Sequence, residues 1–353
     1  MARPRSKTFI DLFAGAGGLT LGFKLAGLEP VFAVEIDPWA ARTYKTNFGA
    51  HVLDHPIETV HSFPAADLVI GGPPCQGFSP LGRDRDEGSR TELNRLWRHF
   101  LRAVELVRPG AFLIENVPEF LKSDQFAAFL RAAKRRIPEY EVDCRVLNAA
   151  DFGVPQRRRR GFVLGSRVGF PEWPRPTHGP ESATGEPFVT VRDAIGDLPA
   201  IPTDEHLHWG RNPRPESIER YKAVPEGGNR FDLAENRPDL LPNCWKNKKS
   251  GTTDVFGRLW WDRPALTIRT EFYKPEKGRF LHPSEHRPIT HREAARLQSF
   301  PDDFVFEGSK IEIARQIGNA VPPQLARVLA EHVLVPLLSS RRSRSRQSAA
   351  GAA

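Results

Sequence analysis

Cysteine is scarce. Three in 353 residues excludes a disulfide-stapled secreted scaffold and fits a reducing compartment. Cys75, Cys144 and Cys244 lie far apart with no C-x-x-C spacing, so no metal site is expected from them. No uninterrupted apolar run reaches membrane-spanning length, and the mean hydropathy of −0.45 likewise excludes an integral membrane protein. The basic opening from Met1 to Lys7 is followed by no long apolar segment, so no secretory signal is expected. Motifs are missing too. The chain has no G-x-G-x-x-G dinucleotide fingerprint, no G-x-S-x-G serine elbow and no D/N/S-P-P-Y/F/W block.

What is present is an ordinary globular composition, 39% hydrophobic and 27% charged, with a formal charge of +8. A sequence pI of about 9.6 favours a polyanionic partner without singling one out. Four of the positive charges sit in the arginine–serine tail near residues 341–346, and without them the net charge falls to +4. Residues 339–353 read as a disordered basic tail. The first half alternates short apolar strands with amphipathic helices, among them a helical period over 92–107 stopped by Pro109-Gly110. That alternation predicts an α/β fold with a mostly parallel, Rossmann-like sheet and chemistry at the carboxyl ends of its strands. Residues 171–285 hold 15 prolines in 115 positions and no long helical period, so a second, smaller and irregular domain is expected there. Aromatics such as Trp209, Trp245, Trp260 and Trp261 are expected to hold its backbone. Periodic pattern returns with a short helix over 290–297 and an apolar helix over 322–338.

Asp11-Leu-Phe13-Ala14-Gly15-Ala-Gly17-Gly18 joins the first strand to a helix. Its glycines let the backbone approach a ligand closely or turn through positive φ, although a ligand-free tight turn would use them equally. Glu35 ends the next strand, where a carboxylate can accept from a ribose diol. An acid there, without a phosphate-binding lysine, points to S-adenosylmethionine over NAD or ATP. Gly72-Pro73-Pro74-Cys75-Gln76 sets a cysteine in a rigid turn just past a strand, placed to react rather than to pack. Residues 77–90 read as a lid carrying Arg83, Arg85 and Arg90, side chains able to reach phosphates. Glu115 closes the fourth strand. In the run 157–160 a strict two-residue alternation puts Arg158 and Arg160 on one face.

In this order the blocks resemble the DNA cytosine C5-methyltransferases of bacterial restriction–modification type. The resemblance rests on Asp11–Gly18, Glu35-Ile36-Asp37, Pro73–Gln76, Glu115-Asn116-Val117, Gln156–Arg160, Arg292–Gln298 and Gln316–Pro322. It implies a catalytic domain over 1–170 and 286–338 and a target-recognition domain over 171–285. It further implies an S-adenosylmethionine pocket built from Phe13, Ala14, Gly15, Gly17, Gly18, Glu35, Ile36, Asp54, Pro74, Asn319 and Val321, with no metal. Cys75 would be the nucleophile and Glu115 the group that holds the cytosine, supported by Arg158 and Arg160. Gln76, Ser79, Arg83, Arg85, Arg90 and Thr267 would meet the DNA.

The implied reaction transfers a methyl group to carbon 5 of a flipped cytosine and leaves S-adenosylhomocysteine. Carbon 5 is too poor a nucleophile unaided; a thiolate bonded to carbon 6 makes the ring enamine-like. Double-stranded DNA is the expected partner. An RNA-directed relative of the same fold shares the cysteine and glutamate blocks, but the large 171–285 insert favours duplex DNA. A catalytically silent regulator would lack Cys75 or Glu115. Residues 245–280 carry nine Lys or Arg against four Asp or Glu, interleaved with aromatics, and suggest a groove-facing surface. A small aromatic core with a solvated rim would read the same way. A monomer in the bacterial cytoplasm, associated with the nucleoid and paired with a cognate restriction endonuclease, completes the expectation.

Overall fold

Seven strands form the main sheet of the computed structural model: Thr8–Leu12 (β1), Glu29–Glu35 (β2), Val52–Asp54 (β3), Leu68–Gly71 (β4), Ala111–Asn116 (β5), Glu141–Asn148 (β6) and Arg159–Ser166 (β7). Their order is β3-β2-β1-β4-β5-β7-β6. Strands β1 to β5 run parallel, and β7 lies antiparallel between β5 and β6. The structure describes residues 6–74, 95–170, 172–203, 205, 207–246 and 253–339. The tail beyond 339 lies outside them.

Two compact units divide the chain. The first comprises Met1–Asn148, Arg159–Pro176 and Val321–Ala353, and the second Ala149–Arg158 and Thr177–Ala320. In the first, β4 is buried throughout and β5 nearly so, as strands covered on both faces must be. Gly18–Leu25 (α1) packs against the terminal helix Pro323–Leu329. A Cβ on Gly22 would stand 2.3 Å from the Pro323 carbonyl oxygen, so only glycine permits that approach. Pro38–Phe48 (α2) opens with Pro38 in its first turn and Asp37 accepting from the Trp39 and Ala40 amides.

Trp97–Val107 (α3) is the observed part of the 92–107 period. It buries Trp97, Phe100, Leu101 and Val104, and ends at Arg108 in the left-handed region. Asp124–Arg136 (α4), capped by the Ser123 hydroxyl, lays Phe126 and Phe129 into the same core. Ring contacts link Phe100, Phe112 and Phe129 at centroid distances of 6.0 and 6.3 Å.

No helix of the second unit exceeds ten residues among those described. Its paired strands are two short parallel ribbons, Gln156–Arg157 with Ala265–Leu266 and Gly257–Arg258 with Arg279–Leu281. This unit takes in 286–320, which the family resemblance assigns to the catalytic part. The reason is local: helix His291–Leu297 is tied to the irregular chain through the Arg292 amide on the Leu207 carbonyl and Arg296 on Asp197.

Chain without regular pairing leaves carbonyls that need donors. Aromatics do part of the work, with Trp260 stacked under Arg279 at 4.1 Å. Buried arginines do more. Arg258 donates to the carbonyls of Tyr221, Val224, His282 and Glu285 at 2.6–2.7 Å. Arg279 serves those of Gly227, Gly228 and Arg258 at 2.6–2.8 Å.

Candidate active site

The carboxyl ends of β1 to β5 bring the motif residues together. Glu35 pairs in register with Asp54, Leu12 with Val34 and Gly71, and Gly71 with Ile114. Beyond β1 the chain turns sharply, with Phe13 at φ 59°, Gly15 at 55° and Gly17 at 89°. Phe13 is the costly member, because its Cβ disfavours that region; such strain concentrates at ligand sites.

Glu35 fastens this turn. The Gly15 amide donates to its Oε2 at 2.7 Å and the Asp37 amide to its Oε1 at 2.8 Å. The carboxylate keeps acceptor capacity for a further donor. Burial raises the Glu35 carboxyl above its ordinary range, against the Asp37, Gly15 and Ile36 amides that favour its ionised form. Beside it Ile36 stands 64% exposed, an apolar side chain without cover, and Asp54 is exposed at the end of β3. A diol acceptor, a close-approach turn and an uncovered aliphatic wall fit the nucleoside of S-adenosylmethionine.

One member of this region was not singled out by sequence reasoning. Asp11, fully buried on β1, accepts from the Thr20 hydroxyl at 2.7 Å, and Thr20 in turn meets the Tyr44 hydroxyl at 3.1 Å. Burial pushes the Asp11 carboxyl up to about 7, opposed by the Thr20 hydroxyl and assisted by the charge of Glu35. The signal was available: an acid inside an apolar strand.

On β5, Glu115 forms an ion pair with Arg160 of β7, Nε lying 2.8 Å from Oε1, with side chains only 12% and 15% exposed. Its Oε2 faces Gly72, where a Cβ would stand 3.1 Å away. Asn116 donates from Nδ2 to the Pro73 carbonyl at 3.0 Å and accepts the Val117 amide at 2.7 Å. The neighbouring strand thereby anchors the Pro73-Pro74 turn. Cys75, Gln76, Ser79, Arg83, Arg85 and Arg90 lie outside the described residues.

Arg157 and Arg159 are exposed whereas Arg158 is buried and Arg160 half-buried, as the alternation expects. Arg158 lies between the ribbon strand 156–157 and β7 and belongs to the second unit. Only 1% exposed, it donates to the carbonyls of Ile268 and Gly318 at 3.0 and 2.9 Å. Gln156 and Gln298 were also missed as individuals. Gln156 donates to the Leu297 carbonyl and Gln298 Oε1, and accepts the Ile268 amide at 2.9 Å.

Thr267 is half-buried, its hydroxyl donating to the Arg157 carbonyl at 2.9 Å. Asn319 ends an exposed helix terminus, whereas Val321 is buried in the first unit. The groove-facing reading of 245–280 needs correction. Phe256 and Phe272 are core, and Arg258 and Arg279 are buried on carbonyls, so the local charge is not all surface.

Residues 7–334 match the family of C-5 cytosine-specific DNA methylases. The chain is 38% identical over 345 residues to the type II methyltransferase M1.HphI of Haemophilus parahaemolyticus, covering 93% of this chain and 87% of that one. The type II methyltransferase M.NgoFVII of Neisseria gonorrhoeae is 36% identical over 343 residues, with 94% and 87% covered. Among solved structures, an Escherichia coli prophage protein assigned as a DNA modification methyltransferase matches with a TM-score of 0.70 at 28% identity. That match covers 95% of this chain and 100% of the other.

Proposed function

The chain belongs to the C-5 cytosine-specific DNA methylases, and on that footing we propose that Cys75 is the nucleophile with which it methylates one cytosine within a short duplex DNA sequence. The observation that carries this reading is the Glu115–Arg160 pair beside Gly72-Pro73-Pro74, the turn that leads directly into Cys75.

S-adenosylmethionine supplies an electrophilic methyl group when bound. Glu35 would receive the ribose hydroxyls, Ile36 would cover the adenine and Asp54 would accept from its edge. Phe13, Ala14, Gly15, Gly17 and Gly18 would line the methionine side, with Pro74 and Val321 completing the pocket.

The target carbon is inaccessible in the stack, so the cytosine is flipped out. The Cys75 thiolate then bonds to ring carbon 6, and the electron pair moves toward carbon 5. Arg160 holds Oε1 of Glu115, which leaves Oε2 to meet the ring N3 and amino edge and stabilise the adduct as it forms. Arg160 also reaches the ring O2. Arg158 acts one step back, fixing the Ile268 and Gly318 carbonyls. After carbon 5 takes the methyl group, its proton leaves to a base, the carbon 6–sulfur bond breaks and the electron pair restores the ring.

Residues 77–90 close over the flipped base, with Gln76, Ser79, Arg83, Arg85 and Arg90 on the DNA and Thr267 near its backbone. Residues 171–285 read the sequence. Its relatives are described as type II methyltransferases, and we propose a monomeric bacterial enzyme acting on nucleoid DNA and paired with a cognate endonuclease. No described helix is long and apolar enough to cross a membrane. Base-resolution mapping of 5-methylcytosine in a methylation-deficient bacterial host expressing the chain tests the reading. Modification at one recurring short sequence supports it; unmodified DNA with soluble, S-adenosylmethionine-binding protein overturns it.

A further inference from the structure

Between α3 and α4, on a face that none of the chemistry above uses, lies a groove of about 360 Å³. Trp97, Ala128 and Ala132 form its apolar part, and Arg98, Arg131, Arg135 and Arg136 its charged part. Arg136 is paired with Glu105. Arg98, Arg131 and Arg135 have no acidic partner among the described residues.

Local electrostatics do not favour this arrangement. Arg98 lies in the first turn of α3, where the helix dipole repels a cation. Arg131 and Arg135 are one turn apart on α4, a like-charge pair that weakens a helix. The dipole explains basic residues in the last turn of α4, Lys134, Arg135 and Arg136, but neither Arg98 nor Arg131. Arg98 is further steered by the Trp97 ring, 5.5 Å from its guanidinium carbon. Ala128 and Ala132 carry only methyl groups, so the space between the arginine-bearing walls stays open. An anion seated there turns each repulsion into an attraction.

The geometry points to the sugar–phosphate backbone of duplex DNA, outside the recognised sequence, as the occupant of this groove. The inference rests on the DNA-methylase reading. Guanidinium forks match phosphate oxygens bidentately, and several forks along two helices suit a repeating polyanion better than a single ion. Such a contact carries no sequence information and holds the enzyme on DNA between sites.

The test measures affinity of the full chain for a duplex of about 60 base pairs lacking the mapped site, across a salt series. Each phosphate contact contributes a slope of about −0.9 in log affinity against log salt. The triple variant R98A/R131A/R135A is expected to flatten the slope by about two to three and to weaken low-salt binding at least about tenfold. The triple Arg→Lys variant retains most of the slope, and kcat on a short duplex carrying the site stays at the parent value in both. An unchanged slope in the alanine variant overturns the inference, as does a variant that loses binding to an acidic polypeptide but not to duplex lacking the site. Failure of the methylase reading itself would show separately, as no turnover by the parent on the short duplex.

Discussion

Gly15 and Glu35 are joined by a 2.7 Å hydrogen bond from the glycine amide to Oε2, so the turn after β1 is held by the residue that ends β2. One carboxylate therefore shapes the loop and offers the remaining lone pairs to a ligand. Glu35→Gln keeps the size but turns one acceptor into a donor that opposes an amide. The expected outcome is a KM for S-adenosylmethionine raised about 10- to 100-fold, from one or two charge-assisted hydrogen bonds, with kcat changed far less. Steady-state kinetics at saturating DNA decides it; an unchanged KM contradicts the assignment.

Asp11 gives a pH dependence of defined sign. Its carboxyl sits at about 7 in the folded chain against 3.8 as the ordinary value. Between those values the unfolded chain has lost a proton that the folded chain keeps, so stability falls as pH rises from about 4 to 7 and levels off above. Burial raises Glu35 as well, which adds in the same direction. Asp11→Asn keeps an acceptor for Thr20 and cannot ionise. Urea unfolding at pH 5 and pH 7.5 is expected to show the variant gaining on the parent at the higher pH; a difference independent of pH refutes it.

Asn116 and Gly72 define the approach to Cys75. Asn116→Ala leaves the Pro73 carbonyl without its 3.0 Å donor and lets the turn shift. Misplacement of a nucleophile costs turnover more than cofactor binding, so kcat is expected to fall about 10- to 100-fold with a smaller change in the KM for S-adenosylmethionine through Pro74. Gly72→Ala brings a methyl 3.1 Å from Glu115 Oε2 and is expected to lower kcat as well.

Arg258 supports the second unit rather than the DNA contact its charge suggests. Arg258→Met removes donors from four carbonyls, three of them in buried hydrogen bonds, and the expected loss is about 3 kcal/mol or more in stability. Burial lowers the Arg258 guanidinium to about 10, yet it remains charged at neutral pH. Chemical denaturation checks the prediction; a variant that unfolds like the parent but loses DNA affinity contradicts it.

The sheet and the strand-end corner that carries the candidate cofactor residues were legible because their signals are local. A strand, a glycine turn and an acid at the next strand end each occupy a few consecutive residues, and the parallel register then sets Glu35 beside Asp54. Arg158 was not legible, because its partners are 110 and 160 residues away in sequence. The same holds for Arg258 and Arg279, which charge counting treats as surface. Composition cannot distinguish a guanidinium that reaches for phosphate from one that gathers carbonyls in proline-rich chain. Phe256 and Phe272 show the matching limit for aromatics: irregular structure gives no period from which to read which side is inward.

The central claim is a covalent bond between Cys75 and carbon 6 of the target cytosine. The direct measurement incubates the chain and S-adenosylmethionine with a duplex carrying 5-fluorocytosine at the mapped position, followed by denaturing electrophoresis and intact-mass analysis. Fluorine cannot leave carbon 5 as a proton does, so the sulfur stays bonded after methyl transfer. The parent is expected to give a denaturation-resistant adduct with the mass of protein plus methylated duplex strand, and Cys75→Ser none. An adduct in Cys75→Ser, or none in a parent that methylates the ordinary duplex, would contradict the account.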